Sequence, residues 1–190
     1  MDEQELELHE ELDTLDTDAS LFELIAERYR SGAGLQDEDI DRIADLALNV
    51  LKELLQSFGV DHVTIDEFEG NDGELIFDIN GSDLAVLIGR HGRTLESLQM
   101  LFSLIVSRKI GFRFPIVVDI EGYKARRHDK VVGMAMSAAD RAVSQDRSIS
   151  LPAMSAYERR LVHISLRERA DVVTHSEGMD AERHVVVEPV

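Results

Sequence analysis

The strongest constraint on this chain is a four-residue break, Gly89-Arg90-His91-Gly92, set between the apolar run 84–88 and an apolar-patterned stretch that continues to residue 106. Both flanks have helical character, so one short helix enters a GxxG turn and a longer one leaves it. Glycine at each end supplies backbone angles that other residues avoid and brings bare backbone against a ligand. The outgoing helix then begins with its N–H groups and positive dipole end aimed at the same place, which favours an anion. Arg90, His91 and Arg93 add mobile positive charge in and beside the turn, and a nucleic-acid backbone is the natural ligand class. A lone GxxG is a weak signal, because any tightly packed helix pair can require glycine. The surrounding sequence has to carry the reading.

Upstream, Ile40, Ile43, Ala44, Ala47, Val50, Leu51, Leu54, Leu55 and Phe58 recur at helical spacing, with Asp37 or Asp39 as the expected cap and Gly59 as the stop. Val63 and Ile65, then Leu75, Phe77 and Ile79, alternate as half-buried strands around the turn Gly70-Asn71-Asp72-Gly73. Ser82 or Asp83 can cap the helix that runs into the GxxG. Beyond it, Leu95, Leu98, Leu101, Phe102 and Ile105 are the expected buried stripe of a helix ending near Gly111. Pro115 to Ile120 is the last strand, with proline at its start or edge. The order helix, strand, strand, helix, GxxG, helix, strand resembles a type II KH domain. In that RNA-binding module the GxxG loop clamps the backbone of about four nucleotides.

A net charge of −18 argues against a polyanionic ligand until its distribution is considered. Residues 1–80 hold 4 Lys/Arg and 24 Asp/Glu, whereas residues 81–190 hold 16 and 14. Basic residues begin in force at the GxxG. Residues 1–36 are expected to be an acidic, solvated and disordered segment, since Leu6, Leu8, Leu12 and Leu15 are too sparse for a helical stripe. Within it, Leu21 to Tyr29 has room for two helical turns. A tethered polyanion can compete for a cationic face or dock a partner, although solubility and spacing is the commoner role. The absence of Cys removes disulfides, thiolate metal sites and cysteine nucleophiles and fits a cytoplasmic protein. No run approaches the roughly 18 apolar residues of a membrane span, and the acidic start is unlike a signal peptide.

After the last KH strand, residues 122–146 read as a basic linking helix whose first turns hold Lys124, Arg126, Arg127, His128 and Lys130. Cations at a helix N-terminus oppose the macrodipole, so their placement there points to a use. A solvated face, tempered by Glu121 and Asp129, is an equal alternative. Val131, Met134, Ala135, Ala138, Ala139 and Ala142 form a small-residue seam, and Gly133 implies close packing at that point. A further helix is expected from Ala156 to about Arg169, capped by Ser155. At about 100° per residue, Tyr157, Leu161, Val162, Ile164, Ser165 and Leu166 fall on one broad arc and Arg159, Arg160, His163 and Arg167 on the other. The second arc contains no acid. Arg offers a donor fork to phosphate, and His one turn away can donate to an oxygen or stack on a base.

Arg159-x-x-x-His163, followed by Ser176-Glu177-Gly178 and by Arg183 before a valine run, resembles the R-three-H domain, a family that binds single-stranded nucleic acid. A KH unit followed by this one, with Gly122-Tyr123-Lys124 between them and Glu158-Arg159-Arg160 in the helix, resembles the bacterial Jag family, also called KhpB or SpoIIIJ-associated. The resemblance covers about residues 40–190. It implies an α+β chain with an acidic segment 1–36, a KH-like domain 37–121, a linking helix 122–146 and a small α/β R-three-H domain 147–190. It further implies single-stranded RNA binding by Gly89, Arg90, His91, Gly92 and Arg93 in the KH loop, by Lys124, Arg126 and Arg127, and by Arg159, Arg160, His163, Arg167 and Arg183. The expected role is that of a post-transcriptional regulator or RNA chaperone in the cytoplasm. A small single-KH protein (KhpA-like) or self-association is the expected protein partner.

The residues do not suggest catalysis. His175, Glu177 and His184 lack metal-ligand spacing, and no acidic cluster near His128-Asp129 or Arg159 and His163 is placed to hold magnesium. No catalytic residue, metal or cofactor is expected. The alternative from another class is a protein-interaction scaffold that dimerises through the KH-like domain.

Overall fold

In the computed structural model, which describes residues 20–190, the alternation of Leu75, Phe77 and Ile79 turns one face of a central strand inward and organises the first of two units. That unit comprises the described residues up to Leu87 together with Leu95–Val118. Its sheet runs β1 (Val63–Glu69), β2 (Leu75–Gly81), β3 (Ile116–Ile120), with β2 in the middle and Ile65 opposite Ile79 in the antiparallel β1–β2 register. The core is supplied by Ile43, Ala47, Leu51 and Leu55 of α2 (Asp37–Ser57) and by Leu98, Phe102, Val106 and Ile110 of α4 (Arg93–Ile110). Phe77 meets Phe102 edge to face at 5.7 Å, a geometry that adds about 1 kcal/mol to simple burial. The short α3 (Ala85–Ile88) leads to the GxxG.

Several expectations change. The buried stripe of α4 passes through Val106 and Ile110, leaving Leu101 exposed and Ile105 half-buried. The residue preceding α2 is Gln36, not an aspartate. Asp39 instead lies in the first turn, where its carboxylate accepts the Gln36 N–H at 3.0 Å and pairs with Arg28. A buried carboxylate needs such partners, and Arg28 belongs to a helix, α1, that occupies residues 20–30. The helical turns expected within Leu21 to Tyr29 are present, and this part of the 1–36 segment, otherwise expected to be disordered, is folded. Phe22, Ile25 and Ala26 are buried, Tyr29 stacks on Phe112 at 4.6 Å, and Arg30 donates to the Gly111 carbonyl at 2.8 Å. The sparse leucines at positions 6–15 lie outside the described residues.

The second unit contains residues 88–94 and 119–190. The long α5 (Tyr123–Gln145) lays Val131, Ala135, Ala138, Ala139 and Ala142 against Val185 and Val187 of β6 (His184–Pro189) and Val162 of α6 (Ala156–Ser165). Small residues on α5 allow this close approach. β6 is the middle strand between β4 (Ile149–Ser150) and β5 (Val172–Glu177), antiparallel to both. Gly133 takes no part in the packing: an added Cβ would meet nothing within 4 Å. Helix α6 ends at Ser165 instead of near Arg169, because the chain turns at Leu166 to bury that side chain, with the Arg167 N–H returning to the Ile164 carbonyl.

Candidate nucleic-acid interface

The GxxG loop is shaped by what its glycines admit. Gly89 has φ 66°, and a Cβ there would lie 2.0 Å from Thr94 Oγ1. Gly92 has φ 81°, and a Cβ would lie 2.9 Å from Cε1 of the Tyr123 ring. Both conditions exclude other residues. Gly92 is buried, and the Tyr123 ring is seated against it. Between the glycines, Arg90 is exposed and His91 adopts the left-handed region at φ 58°.

The loop faces the first turns of α5. Ile88, Gly89 and His91 on one side and Tyr123, Arg126 and Lys130 on the other line a concavity of about 290 Å³. Arg127 also borders it. Helix α5 starts after Gly122, which has φ 65° and no side-chain cap, and the Asp119 carboxylate takes the exposed Lys124 N–H at 3.1 Å. Arg126 donates to the Glu121 carbonyl at its base. Arg93 is exposed and donates to the Ala181 carbonyl at 3.1 Å. Burial lowers the pKa of His91, the Arg127 guanidinium lowers it further, Glu158 opposes this, and Arg90 and Arg93 add smaller repulsions. The ring consequently holds its proton less readily than a free histidine.

Arg127 differs from its neighbours. Its Nε donates to Glu158 Oε1 at 2.6 Å, and both side chains are largely buried. Glu158 lies in the first turn of α6, where its other oxygen accepts the Ser155 N–H at 3.1 Å while Ser155 Oγ accepts the Glu158 N–H at 3.4 Å. The expected Ser155 cap is present as half of a reciprocal capping box. Arg127 thus ties α5 to α6 through the buried Glu158 carboxylate.

The Arg-x-x-x-His pair is also engaged inside the unit. His163 Nδ1 lies 2.7 Å from Thr174 Oγ1 and Nε2 3.1 Å from Ser176 Oγ, so both ring nitrogens are tied to β5. Burial lowers its pKa, followed by repulsion from Arg159 and His175. Arg159 is half-buried and donates to the Met154 carbonyl at 3.2 Å. Arg160 remains exposed. Arg167 is exposed too, but stands in the turn after α6 instead of on its face, and Arg183 is exposed just before β6. His175 pairs with Glu177 at 2.9 Å, and His184 approaches the Glu182 carbonyl. The expected apolar arc of α6 is wrong at two positions: Tyr157 is 65% and Ile164 46% exposed. The signal at Tyr157 is its angle, about 140° around the helix from buried Val162.

Two domain families match this chain, one after the other. Residues 44–120 match the KH domain of KhpA/KhpB, and residues 129–189 match the R-three-H domain. The chain is 31% identical over 147 residues to the RNA-binding protein KhpB of Clostridium symbiosum, covering 77% of this chain and 66% of that one. Against RNA-binding protein KhpB of Bacillus subtilis (strain 168) the identity is 32% over 154 residues, covering 79% and 72%. Against that of Lactiplantibacillus plantarum it is 33% over 145 residues, covering 76% of this chain but 43% of the relative. The chain thus spans from under half to under three quarters of the length of these relatives. Two matching domains in one order, together with identity extending through most of the Bacillus protein, place this chain in the KhpB family, in which a KH domain precedes an R-three-H domain.

Proposed function

We propose that this chain binds single-stranded RNA, with the sugar–phosphate backbone seated in the concavity between the GxxG loop and the start of α5. The observation that carries the reading is the convergence of His91, Arg126 and Lys130 on one recess of about 290 Å³. Cations that oppose the α5 dipole gain by meeting a phosphate there. The printed names of the relatives, RNA-binding protein KhpB, support the same ligand class. Catalysis has no part in this reading. The functional partition is a KH-like domain over 37–121 and an R-three-H domain over 147–190, joined by 122–146, acting in the cytoplasm as a post-transcriptional regulator or RNA chaperone. Among the described residues no helix is long and apolar enough to cross a membrane.

Titration of a short unstructured RNA across salt tests the pocket. Arg126→Glu with Lys130→Glu should reduce affinity at low salt by more than about tenfold. The slope of log K against log salt should become shallower by about 0.7 for each phosphate contact removed. An unchanged slope in the folded double variant would remove the pocket from the interface.

A second reading is favoured by one surface. On α4, Met100 and Leu104 are 61% and 53% exposed, with Leu101 beside them, giving the first unit an apolar helix face suited to a second KH fold. Either a small single-KH protein or another copy of this chain fits. Leu104→Glu should abolish any dimer seen by sedimentation while leaving RNA binding by the monomer intact.

A further inference from the structure

We infer that the outward face of α6 is a base-stacking platform, with Tyr157 as the stacking ring and Arg160 as its adjacent cation. This rests on the RNA-binding reading and deepens it by separating backbone contacts at the GxxG pocket from base contacts at α6. The inner face of α6 is fixed by buried Val162 and by Glu158, held in its ion pair with Arg127. Tyr157, Arg160 and Ile164 lie between about 140° and 160° away from Val162, on the opposite side of the helix. They are spaced i, i+3 and i, i+7, so the ring and guanidinium are neighbours and Ile164 extends the apolar surface by a turn. All three are exposed, and neither the Tyr157 hydroxyl nor the Arg160 guanidinium has a partner among the described residues.

The motif side chains on the same helix are committed inward, His163 to Thr174 and Ser176, Arg159 to Met154. What they leave outward is an aromatic ring in a chain with only 5% aromatic content and no Trp. An exposed ring flanked by arginine suits a nucleobase next to its phosphate. Charge makes RNA a better occupant than a second copy of this chain. The only acid within α6 is Glu158, on the buried side, so the outward face attracts a polyanion, whereas the same cationic face on a second copy would repel it. Stacking tolerates any base, so the platform supplies single-strand preference instead of sequence preference.

The test uses the full chain and a short RNA containing 2-aminopurine, whose fluorescence reports stacking, alongside the same RNA with an abasic residue at the labelled position. Tyr157→Ala should weaken binding of the intact RNA by about tenfold and abolish the change in 2-aminopurine emission. Tyr157→Phe should retain both, because the ring and not the hydroxyl is used. The abasic RNA should bind wild type and Tyr157→Ala equally. An unchanged emission signal and affinity in Tyr157→Ala, with the Arg126→Glu, Lys130→Glu variant still defective, would overturn the platform and leave the pocket standing. Absence of RNA binding by wild type would overturn both. A change in self-association with no change in RNA affinity would assign the face to a second copy and equally reject the proposal.

Discussion

The GxxG loop and helix α6 each carry a short basic signature, and their side chains meet opposite fates. In the loop, the signature opens onto a recess: His91 lines it beside Arg126 and Lys130, while Arg90 stays exposed. In α6 the signature closes on its own unit. His163 spends both ring nitrogens on β5, Arg159 is half-buried against the Met154 carbonyl, and the outward groups are Tyr157 and Arg160. Spacing singles out a helix, but the packing of that helix decides which of its polar groups stay exposed. A cation within reach of an unsatisfied carbonyl or hydroxyl contributes more to the fold than to solvent.

The sharpest way to break the comparison is at Glu158, which holds α6 in position beside α5. Glu158→Ala leaves the Arg127 guanidinium buried without its partner and uncaps the first turn of α6 together. Losing one member of a buried pair costs about 3–5 kcal/mol, and a large fall in the melting temperature should follow. The corresponding pair in the first unit, Arg28 with Asp39, includes an arginine that is 35% exposed, so Asp39→Ala should cost less than Glu158→Ala. Equal losses would show that water already solvates the Arg127 pair.

Much of this architecture is legible in the sequence. The alternation in Leu75, Phe77 and Ile79, the alanine seam of α5 and the Ser155 cap each follow from spacing that packing has no reason to override. Helix α1 is harder to see, because only Phe22, Ile25 and Ala26 are buried and its attachment to Asp39 and Phe112 is through long-range contacts. The inward role of Arg127 is hidden for the same reason: its partner lies 31 residues away. A signal does exist, since Ser155-x-x-Glu158 is a capping-box pattern and its glutamate is drawn into the helix end. Tyr157 is apolar enough to join the buried arc by composition, yet it stands too far around the helix from Val162 to reach the core. Gly133 misleads in the other direction, as a helix-interior glycine with open space above it.

A smaller effect separates the two arginine-motif roles. His163→Ala removes hydrogen bonds to Thr174 and Ser176, and should destabilise the second unit by about 1–3 kcal/mol while the folded protein binds RNA nearly as before. Arg160→Ala should do the reverse, with an unchanged melting temperature and severalfold weaker RNA binding. Calorimetric melting and RNA titration on the same two samples measure both. If His163→Ala instead keeps its stability and loses RNA, the histidine reaches the ligand after all and α6 behaves like the loop.

The smallest effect is the pH response, and it distinguishes the regions by sign. Both His91 and His163 have folded pKa values lowered from the ordinary value of about 6.5, in each case first by burial and then by a neighbouring arginine, Arg127 for the one and Arg159 for the other. On acidification below that value the unfolded chain takes up protons before the folded one does. The stabilisation present above about pH 6.5 is therefore lost as pH falls through the unfolded and then the folded values, and both histidines push the melting temperature down. RNA binding runs the other way at one of them. On the proposed site, a phosphate in the recess would favour the protonated ring of His91 against the repulsion of Arg90, Arg93 and Arg127, so affinity should rise as pH falls from about 7.5 to about 6. His163 faces hydroxyls inside its unit and has no such coupling. The expected gain is about twofold to threefold, the scale of one partly screened charge. It should vanish in His91→Gln and persist in His163→Gln. A pH-dependent gain that survives His91→Gln would mean that the loop histidine does not face phosphate, and the contrast between an open loop and a closed helix would then rest on Arg126 and Lys130 alone.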